Sequence, residues 1–206
     1  MKIERRFTKS RQTPYEDMTF SPRVSVSRNA KGEETKRETV LAPDSWSQVA
    51  VDILAQKYMR RAGLPQNISP TGSETDARQV FRRIAECWVY WGKDGKYFDS
   101  DEDATAFSEE IQYMLAHQIA APNSPQWFNT GLHHAYGIAG PAQGLWRYNP
   151  TTHETEQIAN SYEHPQASAC YIQAIHDDLV NEGGIMDQWV REARLFKFGS
   201  GSGTNF

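Results

Sequence analysis

The sequence predicts an α+β chain built in two different ways along its length. Three observations carry this expectation. Apolar residues recur at helical spacing in three stretches between residues 44 and 121. A strand pattern at Ala169–Ile175 leads into a helical pattern at Leu179–Lys197. The chain then enters the glycine-rich run Gly199-Ser200-Gly201-Ser202-Gly203. So flexible a run has its use between two ordered elements, so a further element is expected beyond it. The chain reads as the N-terminal piece of a larger protein, interrupted at Phe206.

Residues 1–40 are polar and weakly periodic. Val24–Arg28 alternates like a short strand, and Asn29-Ala30-Lys31-Gly32 reads as a turn. Much of this arm is expected to be irregular or docked on a partner surface. The first helix begins near Pro43-Asp44-Ser45-Trp46, with Asp44 or Ser45 as N-cap. Trp46, Val49, Ala50, Ile53, Leu54 and Tyr58 follow at helical spacing, and Gly63 and Pro65 end it. A second helix runs from about Glu74 to Tyr90, with Val80, Phe81, Ile84, Cys87 and Trp88 on one side; Lys93–Lys96 is a turn. A third starts near Asp101–Asp103, carries Ala106, Phe107, Ile111, Met114, Leu115 and Gln118, and is broken by Pro122-Asn123-Ser124-Pro125. A short aromatic helix covers Gln126–Tyr136. Residues 139–165 read as a hairpin insertion, with Leu145–Tyr148 and Glu154–Ile158 on either side of Asn149-Pro150. In the last helix Ile185, Trp189, Ala193 and Phe196 share a face that needs a partner.

The bulk numbers exclude several classes. The 206 residues have room for one large domain or two small ones. Hydrophobic content is 38%, low for a self-sufficient core of this size. The net charge of −4 is mixed, with neither a basic excess for wrapping or binding DNA nor an acidic tail. Met1–Arg6 is not followed by the apolar run of a signal peptide, and no stretch approaches a membrane span. With two cysteines, a cytoplasmic protein with reduced thiols is expected.

Cys170 is the sharpest single residue. It reads either as a small buried thiol in a strand or as a reactive thiol exposed at a strand end. There is no Cys-x-x-Cys, so any disulfide partner lies elsewhere. Cys87, on an apolar helical face beside Trp88, reads as structural. The glycine run lacks the Gly-Lys-Ser/Thr ending of a P-loop and follows a helix rather than a strand. It suits either a plain connection or close backbone approach to a ligand. Ser124 before Pro125 reads as a helix start, or as a hydroxyl holding an anion there. The histidines show no ligand spacing, so no metal site is expected. Asp177-Asp178 suits a cap for the next helix.

Taken jointly, these fragments resemble one family. Asn123-Ser124-Pro125-Gln126-Trp127-Phe128-Asn129, Gln166-Ala167-Ser168-Ala169-Cys170, Asp177-Asp178-Leu179, Gly183-Gly184-Ile185-Met186 and Arg194–Gly201 occur in one order. The chain resembles the N-terminal part of class II, adenosylcobalamin-dependent ribonucleotide reductase over roughly residues 40–206. Trp46–Ala50 and Ile53–Tyr58 also look like that family's helical region.

The resemblance implies a polar arm at 1–40, a helical N-terminal region at 40–138, the hairpin insertion at 139–165 and, from 166 to 206, the first strand–helix unit of a ten-stranded α/β barrel left incomplete in this chain. It implies reduction of ribonucleoside di- or triphosphates to deoxyribonucleotides by a radical mechanism, for DNA synthesis and repair. Cys170 matches a redox cysteine whose disulfide partner lies outside this chain. Ser124, Ala169, Cys170 and Gly199 match substrate contacts, with Gly201 as the alternative glycine. Asp177 matches a residue near the site for deoxynucleotide or ATP effectors. Adenosylcobalamin would be bound mainly by other parts of the enzyme. A thioredoxin-like protein or a C-terminal dithiol tail would be the reductant. The radical cysteine lies later in the family's sequence, so this chain alone is expected to be inactive. A separately encoded subunit needing a second chain, or a non-catalytic nucleotide-binding remnant, stay open as alternatives.

Overall fold

The computed structural model describes residues 1–205; Phe206, where the interruption is expected, lies outside the described residues. The chain is α+β with three two-stranded sheets, and no closed barrel forms among the described residues. It divides into two compact units, one of residues 1–121 with 134–136, the other of 122–133 with the chain from 137 onward.

The first unit opens with an arm that finds its partner within the chain. Ile3 N–H donates to Asp103, and Phe7 and Thr8 N–H to Glu110, with Thr8 at 2.8 Å. Phe7 stacks on Tyr113 at 5.3 Å between centroids. β1 (Phe20–Arg28) and β2 (Glu34–Pro43) then form a long antiparallel hairpin. The strand at 24–28 is therefore longer than its alternation shows, and the arm is largely ordered. The charged start of β2 hides its strand character because that end is solvated, while Val40 and Ala42 are buried.

Continuing β2 through Pro43 moves the first helix along. Asp44 N–H bonds back to Thr19 O, so Ser47, not Asp44 or Ser45, caps α1 (Gln48–Ile53). A π-helical turn, Leu54–Tyr58, ends this helix well before Gly63. Val51, Leu54 and Ala55 face inward, while Val49 and Ile53 are exposed, so the buried face is rotated from the expected one.

α2 (Ala77–Asp94) starts with a capping box. Asp76 accepts from Arg78 N–H, and Gln79 returns a bond to Asp76 N–H. It starts later than Glu74 because Glu74 is an anchor. Its carboxylate is wholly buried, accepting from Arg83 Nε at 2.8 Å, Arg60 N–H at 2.7 Å and Tyr136 O–H at 2.8 Å. α3 (Asp101–Ala116) is capped by Ser100 and packs against α2. Gln118 lies beyond it in a left-handed conformation. Phe81 and Ile84 fill the core, and Trp46 Nε1 donates to Ala116 O at 2.7 Å.

The aromatic helix is two helices. α4 (Ser124–Asn129) ends at Thr130, and Gly131, at φ 82°, starts α5 (Leu132–Tyr136) afresh. In the second unit β3 (Trp146–Asn149) and β4 (Glu154–Gln157) form the expected hairpin. β5 (Cys170–Ala174), α6 (Ile185–Lys197) and β6 (Gly201–Asn205) follow, with β5 and β6 parallel. The glycine run thus supplies a strand rather than a loop, and the element expected after it begins inside it.

Two predictions follow from the first unit. Arg83→Leu removes one partner of a buried ion pair and is expected to lower unfolding stability by about 3–5 kcal/mol in urea titration. The second concerns pH. Burial alone would raise the Glu110 carboxyl, but the hydrogen bonds from Thr8 and Phe7 outweigh it and hold it below its ordinary 4.5. A depressed carboxyl contributes stability above its ordinary value and loses it as pH falls through the folded one. The Phe7 and Thr8 amide resonances should therefore keep their bound shifts at pH 7 and move to free values in acid; unchanged shifts down to pH 3 would show that Glu110 does not hold the arm.

Candidate active site

β5 and β6 form a small platform with two different faces. Tyr171, Gln173, Ser202 and Thr204 lie on the α6 side. Gln173 Nε2 donates to Ser202 Oγ at 2.9 Å, Ser202 Oγ to Glu192 at 2.9 Å, and Gln188 Nε2 to Thr204 Oγ1 at 3.0 Å. α6 therefore meets the strands through polar side chains, because β6 offers hydroxyls and glycines rather than apolar groups. Its apolar side, with Trp189 at 64% and Phe196 at 55% exposure, is left uncovered. Cys170, Ile172, Ala174, Gly201 and Gly203 lie on the opposite, open face. Cys170 is exposed, and its register partner is Gly201. With glycine at 201 and 203, no side chain of β6 crowds the thiol.

Four of the five expected site residues converge at the start of this platform. Ala169 and Cys170 open β5, and Gly201 N–H donates to Ala169 O. Gly199 sits in the turn between α6 and β6 at φ 89°. A Cβ there would meet the Phe128 ring at 2.8 Å and lie 3.8 Å from Pro125 Cα. Gly199 thus lies against α4, of which Ser124 is the first residue. Asn123, not Ser124, is the N-cap, its side chain accepting from Gln126 N–H. Gly201 has no comparable need: a Cβ there would make only ordinary contact, 3.7 Å from Ala169 O.

Asp177 is not brought to this group. It follows the other end of β5 and is exposed. Its neighbour Asp178 does the capping, but of a turn rather than of α6: its side chain accepts from Val180 N–H at 2.9 Å and Asn181 N–H at 2.8 Å. The Asn181 side chain and these two amides hold the Asp178 carboxyl below its ordinary range. A cleft near this end is lined by Gln173, His176, Glu182 and Arg191. The first unit has a larger groove of about 1130 Å³, lined by residues including Arg82, Tyr90, Lys93 and Glu109. None of the expected site residues lines it, and Lys93 is paired with Asp101, Arg82 with Glu86. No cluster of three His, Cys, Asp or Glu side chains suited to a metal occurs among the described residues, and no helix is long and apolar enough to cross a membrane.

A family sequence profile described as class II vitamin B12-dependent ribonucleotide reductase matches residues 21–118. The vitamin B12-dependent ribonucleotide reductase of Agrobacterium fabrum is 52% identical over 235 aligned positions, taking in 100% of this chain and 18% of that protein. Its namesake from Bradyrhizobium diazoefficiens is 50% identical, across 100% of this chain and 19% of the relative. That from Rhodopirellula baltica is 36% identical, across 94% and 18%. The chain belongs to the class II, vitamin B12-dependent ribonucleotide reductase family. It spans under a fifth of the length of these relatives, 18–19%. The profile match ends before Ser124, whereas the Agrobacterium reductase aligns with the whole chain, including every candidate site residue.

Sequence reasoning missed Asn129, Gln166 and Ser200 as parts of this site. All three are buried polar residues that bond to the α6–β6 turn or to the strand start. All three lie within the segments that carry the family resemblance, but nothing in their spacing shows where a side-chain amide or hydroxyl points.

The glycine positions give a direct test. Gly199→Ala forces a side chain into a left-handed conformation and against Phe128, and is expected to weaken amide-exchange protection of β5 by about 1–3 kcal/mol. Gly201→Ala should leave that protection within about 0.5 kcal/mol. Equal losses at both positions would show that the turn does not depend on Gly199.

Proposed function

We propose that this chain forms the N-terminal part of a ribonucleotide reductase, supplying one redox thiol and part of the substrate cradle. The observation that carries this reading is the exposed Cys170 thiol on a glycine-cleared face, with the Gly199 turn and the Ser124 helix beside it. The reaction replaces the ribose 2′-hydroxyl of a nucleoside di- or triphosphate with hydrogen. The hydroxyl leaves as water. The two electrons come from two thiols, Cys170 and a cysteine outside this chain, which close to a disulfide. A thioredoxin-like protein or a C-terminal dithiol tail reopens it by thiol–disulfide exchange.

Each nearby residue has a role in this reading. Ala169 and Gly199 let the backbone approach the substrate closely, and the Ser124 hydroxyl meets its phosphates. Asp177, at the far end of β5, contacts a deoxynucleotide or ATP effector. Adenosylcobalamin supplies the radical chemistry when bound. Its binding is assigned mainly to parts of the reductase outside this chain; neither the groove of the first unit nor the cleft by His176 contains any of the expected site residues. The uncovered Trp189, Val190, Phe196 and Ile172 favour coverage by the remaining reductase, as a ten-stranded barrel closed by further strands would provide.

In the complete reductase, Cys170→Ser is expected to abolish sustained deoxynucleotide production while leaving nucleotide binding within a small factor. A hydroxyl keeps the size but cannot form the disulfide. Cys87→Ser places a polar group at a buried position and should cost on the order of 1 kcal/mol of stability, with catalysis retained per folded molecule. Multiple-turnover reduction beside substrate binding checks both. Normal turnover by Cys170→Ser would remove the redox role.

A further inference from the structure

The two sides of the proposed cradle are linked by a side-chain relay that no substrate contact includes. Gln166 is 7% exposed and Ser200 5% exposed, so both are out of water. The Gln166 amide donates to Leu195 O at 3.2 Å, in the last turn of α6, and also to Ser200 Oγ. Ser200 Oγ itself donates a hydrogen bond to Ser168 O, two residues before Cys170. Its backbone N–H donates to Leu195 O at 3.1 Å. One hydroxyl therefore joins the end of α6, the turn that holds Gly199, and the backbone leading into Cys170. A third tie comes from α4: Asn129 Nδ2 donates to Phe198 O at 3.0 Å, next to Gly199.

The directions of these bonds form one consistent chain. The amide donates through Nε2, the hydroxyl accepts that hydrogen bond and donates its own onward, and the Ser168 carbonyl ends the relay. A buried relay with both ends fixed tolerates little sliding, because moving either strand start leaves a donor unsatisfied. Pairing of β5 with β6 does not achieve this alone. Two strands form a marginal sheet, and the glycines of β6 add no side-chain packing on the Cys170 face.

We infer that Gln166 and Ser200 are positioning residues, which hold the Gly199 turn at a fixed distance from the Ala169–Cys170 strand start so that substrate bound to one side presents its ribose to the thiol on the other. This rests on the functional reading given above. Neither residue touches the reacting atoms. They act by keeping two contact segments in register, which concerns substrate binding and orientation more than the thiol itself.

The test uses the complete reductase with a ribonucleotide substrate. Ser200→Ala and Gln166→Ala are each expected to raise the ribonucleotide KM about tenfold, the scale of one lost buried hydrogen bond, with kcat falling less than about threefold. Ser200→Thr keeps the hydroxyl and should restore the KM to within about twofold of the parent. A merely structural role would lower the melting temperature and the active fraction without raising the KM of the molecules that remain folded. Unchanged KM in both alanine variants overturns the inference, as does a Ser200→Thr variant no better than Ser200→Ala. Cys170→Ser run alongside separates the two ideas: if it turns over normally the functional reading fails, whereas its loss of turnover with unchanged KM in the relay variants removes the relay alone.

Discussion

The first unit depends on one buried charge. Glu74 is fully withdrawn from water, and removing a carboxylate from water is costly unless every lone pair finds a donor. The chain meets that demand from three sequence-distant places. Arg83 comes from α2, the Arg60 amide from the segment after the π-helical turn, and the Tyr136 hydroxyl from α5. Because the donors must converge, the ends of α1 and α2 are fixed in relation to each other. Arg83 Nη2 also reaches Tyr58 O at 3.2 Å, so the same guanidinium ties down the carbonyl end of the π-helical turn. The Tyr136 hydroxyl is pushed well above its ordinary range by burial and the adjacent Glu74 charge, and so serves as a donor throughout the ordinary pH range.

The second unit is held by a different principle. Its parallel strands are joined to α6 by hydroxyl and amide hydrogen bonds rather than by apolar side chains. This inverts the usual division of a helix packed on a sheet, where the apolar stripe faces inward. The inversion follows from what β6 can offer. A strand reading Gly-Ser-Gly-Thr has no bulk for a helix to bury, but its alternating hydroxyls all point to one side. Polar partners on α6 satisfy them, and the apolar stripe is left for another surface. The glycines point to the other side, where Cys170 stands. One alternation therefore both clears the thiol face and dictates which side of α6 packs.

Much of this was legible in the sequence, and the failures have physical causes. The helical period of α2 marked its buried side, since Val80, Phe81, Ile84 and Cys87 are all in the core; that of α3 did so only in part, since Ala106 and Leu115 are buried but Phe107, Ile111 and Met114 are half-buried, and Glu110 and Gln112 are buried instead. The hairpin at 146–157 was readable from its turn residues. The start of α1 was not, because Asp44 is a good cap by type but is engaged at the end of the hairpin, its N–H on Thr19 O and its carboxylate on the Ser21 hydroxyl. The strand character of β6 was hidden because glycine is depleted in strands and its run resembled a loop. Cys170 could be placed at a strand start, but its exposure depends on residue 201, some thirty positions later, and no local pattern reports that. Gln166, Ser200 and Asn129 were invisible for the same reason: a buried amide or hydroxyl is ordinary in a sequence until its partner is located.

The glycines at 199, 201 and 203 show how one residue type can meet three separate demands in five positions. At 199 the demand is conformational, a left-handed turn pressed against Phe128. At 203 it is packing, since a Cβ would lie 3.0 Å from Ile172 Cδ1. At 201 neither constraint applies, yet glycine there leaves open space directly beside the thiol of its register partner Cys170. A site for a bulky substrate needs that space, whereas a structural strand gains from filling it. Ser202 and Thr204 then hold the strand without large side chains, through bonds to Gln173, Glu192 and Gln188 on the side away from the thiol. A strand built only for stability would put branched side chains at 201 and 203. On β6 the side chains are thus absent from the side of the thiol and the hydrogen bonds lie on the other, which is what the proposed placing of a substrate beside Cys170 requires.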